Sequence, residues 1–87
     1  MFIHIGQDTV VVDKEIVGIF DMENTTVMKK TIDYLNDAEK EKCVINVAPF
    51  ELPKSFILCK TPKGKKVYIS PVSVGTILRR IESGNIH

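Results

Sequence analysis

The cations of the C-terminal half carry the most chemical content in this sequence. Lys54, Lys60, Lys63, Lys65 and Lys66 lie within thirteen residues, and Arg79 and Arg80 follow on the next element. Each ammonium or guanidinium that neutralises a phosphate releases a condensed counterion, so such a cluster reads as a polyanion-binding surface of salt-sensitive affinity. The competing reading is solubility, because lysines at a hairpin tip are usually solvated and adjacent arginines on a helix point about 100° apart. A single aromatic, Tyr68, stands among these residues. That argues against a stacking platform for single strands.

Other chemistries find little support. A nucleophilic site needs a thiol or hydroxyl with a positioned base. Cys43 or Cys59 with His4 is the one pair that can be assembled, yet both thiols sit in apolar runs (Cys43-Val44-Ile45 and Phe56-Ile57-Leu58-Cys59) where a free cysteine behaves as a small hydrophobe. Two buried thiols are favoured over a disulfide, given the reducing cytoplasmic setting expected of this chain. His4 and His87 form no close pair with the cysteines of the kind that fixes a tetrahedral zinc site. The acidic residues Asp8, Asp13, Asp21 and Glu23 lack the spacing and central glycine of a calcium loop and read as solvated turn carboxylates. Gly6 is isolated, with no phosphate-cradling glycine pattern around it. No enzyme activity, cofactor, metal or small-molecule substrate is therefore expected.

The elements that must position the cations follow from periodicity. β-Branched residues and closely spaced turns predict three strands at Phe2–Ile5, Thr9–Val12 and Ile16–Phe20. Gly6-Gln7-Asp8 is short enough to make the first two a hairpin, with Ile3 and Ile5 on one face and His4 on the other. From Asn24 the period becomes helical through Val27, Met28, Thr31, Ile32, Leu35 and Ala38, with Asn24, Thr25 and Thr26 as competent N-caps. This helix should fray through Glu39–Lys42, ahead of a strand at Cys43–Val47.

Pro49 and Pro53 make Ala48–Pro53 an irregular connection. A second hairpin follows, with arms at Ser55–Lys60 and Lys66–Ser70 and Pro62-Lys63-Gly64 at its tip. The last helix has the stripe Val74, Ile77, Leu78 and Ile81, with Ser73 (or Ser70 before Pro71) as N-cap and Gly84 as its stop. The order is βββ-α-βββ-α. The expected fold is α+β: one small, largely antiparallel sheet of about six strands, with both helices covering one face.

Length and charge bear on assembly. Eighty-seven residues form one domain, residues 1–87, and a chain of this size hides only about 60–65% of its unfolded surface on folding. Residues 1–40 hold four Lys or Arg against eight Asp or Glu (−4), and residues 41–87 hold eight against three (+5). A thin core, exposed sheet edges and this split charge favour an oligomer in which an acidic patch meets a basic one on the next copy. No run of eighteen apolar residues and no basic leader stand in the sequence, so residence in the cytoplasm is the default expectation.

Several blocks together resemble one family. Met1-Phe2-Ile3-His4-Ile5-Gly6, the stretch Asp13–Asp21, Pro53-Lys54-Ser55 and Tyr68-Ile69-Ser70-Pro71-Val72-Ser73 are similar to the RemA/RemB family of extracellular-matrix (biofilm) regulators of spore-forming Firmicutes, and nearer its RemB branch. The resemblance spans nearly the whole chain. It implies a small cytoplasmic protein that assembles into rings and, in the RemA branch, binds double-stranded DNA at matrix-gene promoters as an activator. In that branch the connection before the fifth strand carries two adjacent arginines used on DNA, whereas Phe50-Glu51-Leu52-Pro53 stands here. The phosphate contacts would then fall to Lys54, Lys63, Lys65, Lys66, Arg79 and Arg80. The alternative the resemblance leaves is a ring-forming module that works through protein partners.

Overall fold

A computed structural model of the chain describes residues 1–22 and 29–84. The helix caps expected at Asn24, Thr25 and Thr26, the stripe residues Val27 and Met28, and the side chains of Thr31, Ile32 and Leu35 lie outside the described residues.

Strand β1 (Phe2–Gly6) pairs antiparallel with β2 (Thr9–Val12). Ile3 and Ile5 are fully buried while His4 on the opposite face is half-buried, as the alternation required. The hairpin closes at Gly6, whose φ of 126° favours glycine. A Cβ there would also stand 3.1 Å from Pro71 Cδ and 3.3 Å from Val47 Cγ1. A single 3-10 turn, Asp13–Glu15, leads into β3 (Ile16–Asp21).

Helix α1 (Lys29–Lys40), β4 (Val44–Asn46), β5 (Ser55–Thr61), β6 (Gly64–Ser70) and α2 (Val74–Ser83) follow in order. The six strands form two sheets rather than one. β1 and β2 make a two-stranded sheet, and the other four run in the order β3-β5-β6-β4, with β4 parallel to β6 at one edge. The β5–β6 register, from Ser55 opposite Ser70 to Thr61 opposite Gly64, is the expected hairpin with each arm longer than the sequence suggested.

The helices lie on opposite faces of the four-stranded sheet, which corrects the expectation that both cover one face. The cause is visible in β5, whose run Phe56-Ile57-Leu58-Cys59 is apolar on both faces, so each face needs a cover. Phe56, Leu58 and Val67 pack with Ala38 of α1. Ile57, Cys59 and Tyr68 pack with Ile77 and Ile81 of α2 and with Ile3, Ile5 and Val11 of the N-terminal hairpin. The result is three layers: α1, the four-stranded sheet, and the β1–β2 hairpin side by side with α2.

Two buried serines fasten the third layer to the second. Ser55 and Ser70 are fully buried and face each other across β5 and β6. The Ser70 hydroxyl donates to the Ile5 carbonyl (2.6 Å) and accepts from the Val72 N–H (3.0 Å), and the Ser55 hydroxyl donates to the Val72 carbonyl (2.7 Å). The entry to α2 is thereby fixed. The Ser73 hydroxyl then caps the helix, accepting from the Thr76 N–H, and Gly84 ends it in the left-handed conformation (φ 66°), both as the residue pattern foretold.

Candidate nucleic-acid interface

The basic residues are placed by the start of β6 and the end of α1. At the hairpin tip the Thr61 hydroxyl donates to the Gly64 carbonyl (2.8 Å) and accepts from the Lys63 N–H (3.2 Å), closing a turn around Pro62 and Lys63. Gly64 there takes a φ of 119°. Lys65 then falls on the α1 face of the sheet with Lys60 directly opposite, and Lys66 falls on the other face opposite Cys59.

Helix α1 ends in a Schellman motif rather than fraying. The Lys42 N–H donates to the Glu39 carbonyl (3.0 Å) and the Cys43 N–H to the Ala38 carbonyl (3.1 Å), with Lys42 at φ 58° in the position that glycine usually holds. The Cys43 carbonyl next accepts from the Val67 N–H (2.9 Å), which docks this helix end against β6. Lys42 thus arrives beside the hairpin.

Between these two elements lies an open groove of about 450 Å³, bordered by Lys42, Lys63, Lys65 and Lys66, with Glu41, Cys43, Ile45 and Gly64 completing the wall. Four lysines against one glutamate leave three net positive charges around it. Glu41 and Lys65 pair at 2.8 Å with both groups part-exposed, a geometry worth little to stability but one that orients the lysine. Lys60 and Lys65 face each other in register, and like charges so placed oppose the fold. The Glu41 carboxylate on Lys65 offsets part of that repulsion.

The structure gathers three of the six sequence-predicted residues, Lys63, Lys65 and Lys66, around this groove. Lys54 is exposed at the opposite end of β5. Arg79 and Arg80 ride on α2, which packs against β1 and β3 rather than beside the hairpin tip. Arg79 is exposed and touches the Thr76 hydroxyl (3.2 Å). Arg80 donates to the His4 carbonyl at 2.6 Å, bracing α2 on β1 with one arm of its guanidinium. Lys42 was missed by sequence reasoning. It stands more than twenty positions before the hairpin lysines, and nothing in the Glu39–Lys42 stretch signals where its helix stops.

Several other reactive groups among the described residues are engaged within the fold. Cys43 and Cys59 are free thiols in the two different core clusters, on opposite sides of the sheet. Burial, reinforced by the charge of Glu15, pushes the Cys59 thiol up to about 11. Burial first, then Cys59 and Glu15, also raises the Tyr68 phenol, and that ring packs on the core. His4 Nε2 bonds the Gln7 carbonyl, and Asp13 pairs with the terminal ammonium of Met1 at 3.3 Å. Among the described residues no three His, Cys, Asp or Glu side chains converge on a metal site, and no helix is long and apolar enough to cross a membrane.

Comparisons with known proteins identify the family. The family model described as extracellular matrix regulatory protein A-like matches residues 2–81. The chain is 33% identical over 82 residues to extracellular matrix regulatory protein B of Bacillus subtilis (strain 168), covering 94% of this chain and 91% of that one. With a match of this extent and a relative of this identity, the chain belongs to the RemA/RemB family of extracellular matrix regulators and is RemB-like within it.

Proposed function

We propose that this protein is a DNA-binding regulator of extracellular-matrix genes that acts in the cytoplasm as a ring-shaped homo-oligomer, holding duplex DNA through its phosphates. The observation that supports this reading is the groove at the start of β6, where Lys42, Lys63, Lys65 and Lys66 outnumber Glu41. Cations drawn from two elements far apart in sequence and gathered around one groove suit a polyanion better than they suit solvation. Lys54, Arg79 and Arg80 extend positive charge to other faces, where a second turn of DNA or a neighbouring copy's DNA segment passes. The groove holds no Asn or Gln to read adenine, and its lysines serve chiefly as phosphate contacts, which position the duplex and carry little base discrimination. Repeating the groove around a ring multiplies weak contacts into useful avidity.

Fluorescence anisotropy of a labelled duplex between 50 and 200 mM salt tests the proposal. Three net charges per copy give a slope of log K against log salt of about −2.7 per engaged copy. The Lys65→Glu, Lys66→Glu double variant should weaken binding evenly on all sequences. Absence of binding at low salt, or a flat plot, refutes it. That result would favour the second reading, a protein-interaction module that does not contact DNA, for which the exposed Phe50 and Leu52 speak.

A further inference from the structure

Among the described residues the two most exposed large apolar side chains are near neighbours on one loop. Phe50 is 102% and Leu52 85% exposed, on the connection from β4 to β5. The loop is held out rather than loose. The Glu51 N–H donates to the Ala48 carbonyl (3.0 Å), Gln7 Nε2 donates to the Glu51 carboxylate (3.0 Å), and prolines at 49 and 53 restrict the flanks. At its root the Lys54 N–H donates to the Ser70 carbonyl (2.8 Å), and the Lys54 carbonyl accepts from the Met22 N–H (2.9 Å). An ordered apolar protrusion loses little conformational entropy on burial, which suits it to anchor a contact.

The opposite end of the same sheet carries a hollow of matching character. Val17, Leu58, Lys60, Gly64 and Lys65 line a concavity of about 290 Å³. It is mainly apolar in its walls, and Val17 is 63% exposed beside it. The loop leads into the first residue of β5, Ser55, whereas Leu58 and Lys60 of the hollow stand three and five residues further along that strand, about 10–17 Å away. The loop therefore does not reach the hollow of its own chain.

We infer that the Phe50–Leu52 loop of one copy docks in the Val17/Leu58 hollow of a second copy of this chain, with Glu51 brought beside Lys60. The charges are complementary: the protruding pair carries a carboxylate between its apolar side chains, and the hollow carries lysine at its rim. Lys65, opposite Lys60, already pairs with Glu41 of its own chain, so the arriving carboxylate would serve Lys60. Because protrusion and hollow occupy opposite ends of one sheet, the contact is head to tail. Repetition of such a contact closes a ring or extends a filament. The inference rests on the oligomeric part of the function proposed above and supplies its contact. Lys42, Lys63 and Lys66 border the basic groove but not this hollow, so assembly leaves them open to DNA.

Sedimentation velocity on the full chain, with far-UV circular dichroism as the check on folding, tests it. The wild type should assemble at tens of micromolar. The Phe50→Ser, Leu52→Ser variant and the Val17→Glu variant should each run as folded monomers, with a dissociation constant raised at least about 100-fold. Mixed in equal amounts, these two should form a one-to-one dimer, since one intact protrusion and one intact hollow remain between them. Lys60→Glu should weaken assembly and Glu51→Lys added to it should restore it.

Assembly that persists in both single-site variants, or a mixture that gives no dimer, overturns this contact while leaving the ring in place. A wild type that stays monomeric at 100 μM overturns both. Sedimentation with phosphatidylglycerol vesicles that Phe50→Ser, Leu52→Ser abolishes, without any change in assembly, assigns the loop to a lipid surface and also overturns it.

Discussion

Replacing Ser70 by alanine should cost far more than its size suggests, because the hydroxyl joins β6, β1 and the entry to α2 at one buried point. It donates to the Ile5 carbonyl and accepts from the Val72 N–H, and both partners are drawn into the interior around it. Ser70→Ala leaves that carbonyl and that N–H facing a methyl group. A buried polar group without its partner costs about 1–3 kcal/mol, so two together should cost about 2–4 kcal/mol after the hydroxyl's own desolvation is credited. Ser55→Ala, which orphans only the Val72 carbonyl, should cost about 1–2 kcal/mol on the same scale. The two serines grip the two sides of one residue, so the double variant should cost less than the sum, with a coupling of about 0.5 kcal/mol or more. Urea unfolding at one fixed protein concentration reads this directly. With a slope near 1 kcal/mol/M for a chain of this size, Ser70→Ala should lower the midpoint by about 2–4 M. A shift under about 0.5 M, or strict additivity of the two serines, would refute the view that these hydroxyls fasten the N-terminal hairpin and α2 to the sheet.

Alkaline pH should destabilise the fold through Cys59. Its thiol is raised by burial from 9.0 to about 11, so the unfolded chain loses this proton first. The contribution is whole below pH 9 and declines as pH rises toward 11, by up to about 2–3 kcal/mol. Cys59→Ala should flatten that decline between pH 8.5 and 10.5 although it lowers stability at neutral pH, and an unchanged decline would show that the thiol is not its source. Lys42→Gly should separate folding from binding. It relieves a left-handed conformation at φ 58° and should stabilise the protein by about 0.5–1 kcal/mol in chemical denaturation, while lowering the salt slope for DNA by about 0.9. A salt slope that does not move takes Lys42 out of the interface.

Elements with strong local signals were readable from the residues. The β5–β6 hairpin, the cap at Ser73, the stop at Gly84 and the burial of Ile3 and Ile5 with His4 turned outward all follow from turn chemistry, capping or alternation. These are properties of a few adjacent residues. The division into two sheets and the opposed helices did not follow, because they depend on whether an apolar run such as Phe56–Cys59 is covered once or twice, and a short run looks alike in either case. The role of Ser55 and Ser70 was hidden for a related reason: an isolated serine in a strand has no pattern, and its partners Ile5 and Val72 are brought to it only by the tertiary fold. At the candidate interface, proximity in sequence correctly joined Lys63, Lys65 and Lys66. Arg79 and Arg80 would have joined them had α2 packed beside the hairpin, but α2 packs against β1 and β3. Lys42 shows the converse, a residue distant along the chain that a helix terminus delivers to the groove.

The anchoring of the β4–β5 connection bears on how members of one family come to differ. Hydrogen bonds hold its root on both sides through the backbone of Lys54, while the side chains of Phe50 and Leu52 support nothing beneath them. Their replacement is close to neutral for folding. Selection can thus rewrite the chemistry of this corner, exchanging apolar for charged side chains, and change what the protein meets without a compensating change anywhere in the core.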